Sequence, residues 1–500
     1  MSNYFYNLLK IFMINKISNT GFNFDNSYIE LPPEFYSPAN LQPVKSPQLV
    51  ILNNELSNSL GLNTDFLKSQ EGIYIMSGNI KIPDGAYISQ AYAGHQFGGF
   101  TMLGDGRALL IGEQITPSNQ RFDIQLKGSG RTPYSRNGDG RAVLGPMLRE
   151  YIISEAMHGL NIPTTRSLSV ISTGENVYRE TIQQGAILTR VASSHIRFGT
   201  FEYAAYMLDY EKLKKLSDYT IKRHFPFLEN NENKYINLLD EVIKLQASLV
   251  AKWQSVGFIH GVLNTDNMSI CGETIDYGPC AFMDVYNPDT VFSSIDTNGR
   301  YAYKNQIAIV NWNLYRLAET LLPLINSDEN KAIELAQNSL SKFINLATSN
   351  LSHEMCSKIG IFEPKTSDID LLNELLNMMQ KYKEDYTNTF IALTFNDLPQ
   401  KGMFISEEFI NWKKKWEETL TLQNKSKDEV FDLMKNSNPA VIPRNHRVEE
   451  ALSAANNRDF SVMNNLLKAL SNPFEHSEFQ KEYAKLPSTP QCNYRTYCGT

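Results

Sequence analysis

Residues 260–267 read His-Gly-Val-Leu-Asn-Thr-Asp-Asn, and nine residues beyond Asn267 comes Asp276-Tyr277-Gly278. Asn267 and Asp276 offer hard oxygen donors of the kind that suit Mg2+ or Mn2+. An aspartate followed closely by a glycine is common in turns, so Asp276 alone says little. The stretch gains meaning from its surroundings. Tyr235–Val256 is a long run with apolar residues at helical spacing, and it feeds directly into the loop 257–267. Short apolar runs at Met268–Ile270 and Ala281–Met283 predict strands on the far side.

Upstream, Lys127 ends the apolar run Phe122-Asp123-Ile124-Gln125-Leu126 and so sits at the edge of a predicted strand. Pro146 opens a helix that Gly159 and Pro163 close, and Glu150 lies in its first turns. A strand lysine held by a helix glutamate is how kinase-like folds aim an ammonium at nucleotide phosphates. Taken alone, Lys127 and Glu150 read more simply as two surface charges. A kinase catalytic loop, however, has His, then Asp two residues on, then Asn five residues later. His260 and Asn267 keep that spacing, and Asp276 stands where the metal-binding aspartate would follow. With Lys127, Glu150, His260, Asn267 and Asp276 in this order, coincidence is a poor explanation.

The position of the kinase base is Val262, and valine accepts no proton. Either the protein is inert or another group serves. Asp266 is the nearest candidate general base; the simpler alternative is a loop carboxylate that only orders a metal site.

Two glycine-dense loops precede this region. One runs Gly94-His95-Gln96-Phe97-Gly98-Gly99 into Leu103-Gly104-Asp105-Gly106-Arg107, the other Lys127-Gly128-Ser129-Gly130-Arg131 into Asn137-Gly138-Asp139-Gly140-Arg141. Glycine lets backbone N–H groups approach phosphate oxygens, and the neighbouring Arg and Lys add charge-assisted bonds. Neither loop fits the Walker or Rossmann pattern, and plain hairpin turns explain them equally well in isolation. Arg190 and Arg197 bracket the end of the strand-like run that closes at Val191. They read either as a polyphosphate clamp or as structural salt bridges.

The whole chain predicts an α+β, bilobal, protein-kinase-like fold with a helical C-terminal extension. Residues 1–75 are expected to be an N-terminal extension and irregular packing segment with brief helices. Residues 76–200 form a strand-rich N-lobe with the glycine loops, and 201–325 a helical C-lobe with the catalytic and metal-binding loops. Residues 326–500 make a helical region, including a helix at Ile369–Tyr386, that ends in a loop-like tail.

Composition bounds the function. Of 500 residues, 42% are hydrophobic and 20% charged, which excludes disorder, collagen and a disulfide scaffold. The net charge is −7 and the pI about 5.7, against a general nucleic-acid binder. Five cysteines, sparse and odd in number, suit a reducing compartment, and the expected location is the cytoplasm. No segment is apolar enough to span a bilayer. Tyr4–Met13 is broken by Asn7 and Lys10 and lacks a basic start and a cleavage site, so it reads as an amphipathic extension, with Met13 as an alternative start. There is no H-E-x-x-H, C-x-x-C or G-x-S-x-G.

Five segments in order carry a resemblance: AYAGHQFGGF with LGDGRALLIGE, DIQLKGSGRTPYSRNGDGRAVLGPMLREYIISEAM, TRVASSHIRFGTFE, GFIHGVLNTDNMSICGETIDYGPCAFMD and NPAVIPRNHRVEEAL. From about residue 25 onward the chain resembles the selenoprotein O (YdiU) family of kinase-fold protein adenylyltransferases. The resemblance implies transfer of AMP from ATP to Ser, Thr or Tyr hydroxyls of proteins, with pyrophosphate leaving; UMP transfer from UTP is also attributed to the family. ATP is then turned relative to a kinase, so that its α-phosphorus faces the acceptor. Carried over by motif, Gly104, Gly106, Arg107, Lys127, Asp139, Gly140, Arg190, Arg197 and Asp276 contact the nucleotide. Glu150 anchors Lys127, Asn267 and Asp276 hold Mg2+ or Mn2+, and Asp266 accepts the proton. The partners expected are protein substrates, with no nucleic acid or membrane, and the chain is expected to be a monomer. The family's redox-type thiol, third from the C-terminus, corresponds to Cys498. The stretch Pro288–Asp296, where some bacterial relatives carry its disulfide partner, contains no cysteine; Cys492, Cys271 and Cys280 are the other thiols near in motif order. A kinase with a displaced base and an inert nucleotide-binding scaffold are the alternatives.

Overall fold

The computed structural model describes residues 20–487 and 494–496. Ten strands precede residue 193: β1 (Tyr36–Pro38), β2 (Gln48–Leu52), β3 (Ile88–Gln90), β4 (Ala93–Gln96), β5 (Gly99–Met102), β6 (Ala108–Ile115), β7 (Arg121–Lys127), β8 (Ala142–Val143), β9 (Arg166–Tyr178) and β10 (Ile182–Ala192). Eight of them form one antiparallel sheet in the order β1-β3-β6-β7-β10-β9-β2, with β8 on β10; β4 and β5 make a separate hairpin.

Alternation along the strands divides the sheet into two apolar faces. Leu109, Ile111, Ile124, Leu126, Ile171 and Ile187 point to one side. There they meet Leu56, Leu67 and Ile75 from the short helices Asn54–Ser59, Thr64–Lys68 and Gln70–Met76. Leu110, Val170, Ala186 and Leu188 point to the other, against Met147, Leu148 and Ile152 of the helix Leu144–Gly159. Burial on both faces explains why these strands read as near-continuous apolar runs. The brief helices expected before residue 75 are present. The run Leu49–Leu52 is not irregular, however: it is drawn into β2 and pairs with β9, closing the sheet edge beside those helices.

The second lobe is helical. Phe198–Met207, Tyr210–His224, Lys234–Ser255 and Gln306–Ile325 extend the same core from the inner face of the sheet. A small pair, β11 (Phe258–Ile259) and β12 (Ala281–Phe282), flanks the loop that holds His260–Asn267. The strand expected at Met268–Ile270 does not form. Ser269 makes one isolated bridge with Arg197, because that neighbour enters the helix at Phe198 and leaves no strand to pair with.

The helices Thr366–Tyr382, Tyr386–Phe395, Glu407–Leu422 and Lys427–Ser437 enclose a separate core that includes Leu375, Phe390, Trp412 and Met434. The helix expected at Ile369–Tyr386 stops at Tyr382. Lys383 takes a left-handed conformation (φ 57°), and Asp385 caps the next helix by accepting from Asn388 N at 2.7 Å. The helices Asn445–Asn456 and Ser461–Leu470 return to the first core and pack on Leu144–Gly159 through Val448, Ala451, Met463 and Leu466, and a short helix, Glu478–Ala484, follows them. A strand-rich lobe, a helical lobe and a helical extension together make the bilobal kinase-like α+β fold. Among the described residues no helix is long and apolar enough to cross a membrane.

Lys358 lies in the extension, 2% exposed, with its Nζ 4.7 Å from the centre of the Phe390 ring. Burial pushes its pKa down to about 7, against the weaker pull of Glu354. The unfolded chain, with lysine near about 10.4, therefore binds more protons between these values, and stability rises with pH across that window. Lys358→Met is expected to raise the melting temperature at about pH 6, and the gain should shrink toward about pH 10 as the wild-type ammonium loses its proton. Equal melting curves at low pH would contradict this.

Candidate active site

The sheet register builds the floor of the cleft. Lys127 pairs with Ala108 and Leu188, and Gln125 pairs with Leu110 and Arg190, so Lys127, Gln125 and Arg190 share one face. That face looks toward the helix Leu144–Gly159. Glu150 on this helix accepts from Lys127 Nζ at 2.6 Å, and Arg190 Nη1 lies 3.4 Å from its other oxygen. Gln125 Oε1 accepts from Arg190 Nε and Nη2 at 3.2 and 2.6 Å, fixing the guanidinium plane.

Asp276 closes the arrangement. Its Oδ1 accepts from Lys127 Nζ at 3.0 Å and from Arg190 Nη1 at 2.7 Å, and its Oδ2 from Arg197 Nη1 at 2.5 Å. Asp276 adopts a left-handed backbone (φ 64°), a conformation that costs energy for a residue with a Cβ and persists only where the surroundings hold it. Burial alone would raise its pKa, but the charges of Lys127, Arg197 and Arg190 outweigh that and hold it well below the ordinary carboxylate range. The three cations are all buried. Arg197 also stacks on Tyr92, 4.7 Å from the ring centre, and donates to Asp266 O at 2.6 Å.

The 3-10 turn Thr265–Asn267 carries the candidate base. Asp266 is buried; its Oδ2 accepts from Gln96 Nε2 at 3.3 Å, and its Oδ1 has no partner. Burial pushes its pKa up to about 6, although the Arg197 charge and the Gln96 bond pull it down. Asn267 donates through Nδ2 to Val262 O at 2.9 Å, which leaves its Oδ1 as the free donor atom of the amide. His260 is buried against Trp253 and Phe258, with Nε2 3.0 Å from Ile275 O, so it ties the loop to the segment just before Asp276.

These groups line one cavity of about 510 Å³. Gly106, Arg107, Lys127, Glu150, Arg190, Arg197, Val262, Asp266, Asn267 and Asp276 are all on its wall. Gly104, Asp139 and Gly140 are not. Gly104 (φ 115°) packs on Tyr134, where a Cβ would come within 2.5 Å of the ring. Asp139 forms an ion pair with Arg179 at 2.9 Å beside Gly140. Cys492 and Cys498 lie outside the described residues. Cys271 and Cys280 are free, and burial pushes both thiols up to about 12, so neither is a ready thiolate.

A model of the family described as protein adenylyltransferase SelO matches residues 19–471. The chain belongs to the SelO family. A protein of Bacillus cytotoxicus named protein nucleotidyltransferase YdiU is 62% identical over 97% of this chain and 99% of its own length. A Clostridium beijerinckii protein of the same name is 60% identical over 97% of this chain and 99% of its own. Among solved structures, ROP2 from Toxoplasma gondii, described as having a protein-kinase fold and no enzymatic activity, matches with TM-score 0.24 and 8% identity over 67% of this chain and 88% of its own. Membership in SelO makes the chain a nucleotidyltransferase.

Several residues of this SelO cleft gave no individual signal in the sequence. Asp105, inside the quoted LGDGR, accepts from Gln125 Nε2 at 3.1 Å, and burial raises its pKa to about 6. Tyr92 and Gln96 reach the cleft from β4 and the turn before it. Glu449, Leu452 and Asn456 complete one wall from the helix Asn445–Asn456. Only the motif NPAVIPRNHRVEEAL hinted at that helix, and it named no role.

Removing Asp276 leaves three buried cations facing one glutamate. Breaking a buried ion pair this way costs about 3–5 kcal/mol. Asp276→Ala should therefore melt well below wild type, and tripolyphosphate should restore more of the loss than sodium chloride at equal ionic strength. A melting temperature unchanged by the substitution, or restored equally by chloride, would show that the cluster needs no counter-charge.

Proposed function

We propose that the cleft binds ATP with its outer phosphates inward and transfers AMP to Ser, Thr or Tyr hydroxyls of proteins. The observation that carries this reading is the convergence of the buried Lys127, Arg190 and Arg197 on one half-buried carboxylate, all within 3.0 Å. A polyphosphate is the ligand that can take over three such donors. Lys127 and Arg190 are braced from behind by Glu150 and Gln125, which suits holding the departing pyrophosphate. Arg197 touches both Asp276 and the backbone of Asp266, so the cation nearest the candidate base sits where the reacting α-phosphate would lie.

In the step, the acceptor oxygen attacks the α-phosphorus and its proton passes to Asp266. The bond from the α-phosphorus to the bridging oxygen breaks, and pyrophosphate leaves with that electron pair. An unpartnered carboxylate oxygen with a raised proton affinity suits the base role. Gly106 and Arg107 would flank the nucleotide from the glycine loop. Asp139 and Gly140, now outside the cavity wall, would join only if the loop closes.

The donor set fits a hard divalent cation. Among the described residues no group of three or more acidic, histidine or cysteine side chains could cage a metal. Asn267 and Asp276 supply two oxygen donors, and Mg2+ characteristically takes one or two protein oxygens and completes its shell with phosphate and water. Mg2+ or Mn2+ held there would neutralise phosphate charge. We place this activity in the cytoplasm, in keeping with the sparse cysteines, of which Cys271, Cys280 and Cys356 are unpaired among the described residues.

Incubation with α-labelled ATP and protein acceptors should label protein, and γ-labelled ATP should not; the reverse pattern would identify a kinase instead. UTP labelled at the same position measures the alternative donor. Chelation should abolish labelling, and added Mg2+ or Mn2+ should restore it. Arg190→Ala and Arg197→Ala are each expected to lower kcat about 10²- to 10³-fold, the scale of losing a donor aimed at transition-state charge.

A further inference from the structure

The hairpin β4–β5 lies over the catalytic loop and is bonded to it residue by residue. His95 N donates to Thr265 Oγ1 at 2.7 Å, Gln96 Nε2 to Asp266 Oδ2 at 3.3 Å, and Phe97 N to Asn264 Oδ1 at 3.1 Å. Below it, Glu202 joins His95 Nδ1 at 2.7 Å and Thr265 Oγ1 at 2.8 Å, so the hairpin is anchored rather than loose. Its outer side is apolar and open to solvent. Phe97 is 41% exposed, Phe100 42% and Tyr206 47%, and Phe100 meets Tyr206 edge-on at 5.4 Å. Met102 and Met207 are exposed as well.

A cation borders this patch. Arg300 Nη2 lies against the hairpin tip at Gly98, and its guanidinium sits 5.0 Å from the Trp312 ring and 5.7 Å from the Tyr301 ring. Among the described residues Arg300 has no salt bridge. Asp296, four residues before it, accepts from the backbone N–H groups of Arg300 and Tyr301 at 2.9 and 2.8 Å. Arg316, the other arginine on Trp312, already pairs with Glu319 at 2.7 Å.

We infer that this surface docks the acceptor: an extended protein segment with an apolar or aromatic residue on Phe100 and Tyr206, a carboxylate on Arg300, and its hydroxyl over Asp266. Three observations select that occupant. The patch is continuous with the cleft, since Phe97 and Gln96 line the cavity beside Asp266. Arg300 offers a positive charge at its edge that no acid among the described residues pairs with. Exposed aromatics grouped beside a reaction centre, on a backbone fixed to that centre, are a surface that excludes water once covered. The inference names the acceptor class for the transfer reading and rests on it.

The test uses the full chain, α-labelled ATP and a synthetic library of short peptides with a central Ser, Thr or Tyr and randomised flanks. Wild type should enrich Asp or Glu and apolar residues near the labelled hydroxyl about threefold or more over the input. Arg300→Glu should remove the acidic preference and favour Lys or Arg at the same position. Phe100→Ser should remove the apolar preference. Both variants should bind ATP within about twofold of wild type by titration, which separates docking from misfolding. Labelled peptides without flank preference, or preferences unmoved by Arg300→Glu, would overturn the docking surface. So would a change from dimer to monomer on Phe100→Ser, which would assign the patch to a second copy. Label on intact proteins but on no peptide would overturn recognition of a linear segment. Label on neither would overturn the transfer reading itself.

Discussion

Three cations share one carboxylate at the floor of the cleft, and the rest of the structure is arranged to make that tolerable. Lys127, Arg190 and Arg197 would repel one another strongly in a buried site. Asp276 lies at the centre and Glu150 behind, so two acids offset two of the three positive charges. Such a cluster stays in place only if each side chain comes from a rigid element. Lys127 and Arg190 come from paired central strands, Glu150 from a helix buried on the inner face of the sheet, and Asp276 from a turn tied down through His260. The charge that the proposed polyphosphate would meet is thus held in place by the fold itself. That preorganisation spares the reaction the cost of gathering charge later.

Val262 shows how the same frame can support different chemistry. Its side chain offers the cleft only an apolar contact, while its carbonyl accepts from Asn267 and so orients that amide. The proposed base, Asp266, lies four residues on, under the hairpin β4–β5. Placing the candidate base there brings it within one bond of Arg197. Gly94 makes the approach possible: a Cβ at that position would lie 2.5 Å from Asp266 Oδ1. The glycine is needed for room and not for a turn, which a sequence read for turns does not distinguish.

What could be read from the sequence follows from the range of the interactions. Strand β7, the end of β10 and the helix Leu144–Gly159 were legible because apolar spacing and Pro and Gly punctuation are local signals. Lys127, Glu150, Asn267 and Asp276 were legible because their spacing is fixed by the order of elements. Tyr92, Asp105 and Gln125 were not, because each matters through a partner far away in the chain. Gln125 looks like any polar residue in a strand until Arg190 lies beside it in the adjacent register. The run Leu49–Leu52 failed for a related reason: its strand exists only because β9 offers an edge. The helix expected through Tyr386 failed locally, at Lys383, where a left-handed residue carries no strong sequence mark.

The helix Leu144–Gly159 links the cleft to the end of the chain through two successive residues. Side chains one position apart on a helix point about 100° from each other. Glu150 therefore faces Lys127, while Arg149 turns to another part of the cavity wall, donating to Cys280 O at 2.7 Å and to Tyr494 Oη at 3.1 Å. Tyr494 in turn donates to Glu449 at 2.6 Å, on the helix that forms one wall of the cavity. Two residues later Thr496 pairs with Ser293 and donates through Oγ1 to Pro279 O at 2.6 Å, three residues after Asp276. The described end of the chain thus bonds to both sides of the cleft entrance. Residues 494–496 thus bridge the helix that carries Glu150, the cavity wall at Glu449 and the segments that follow Asp276.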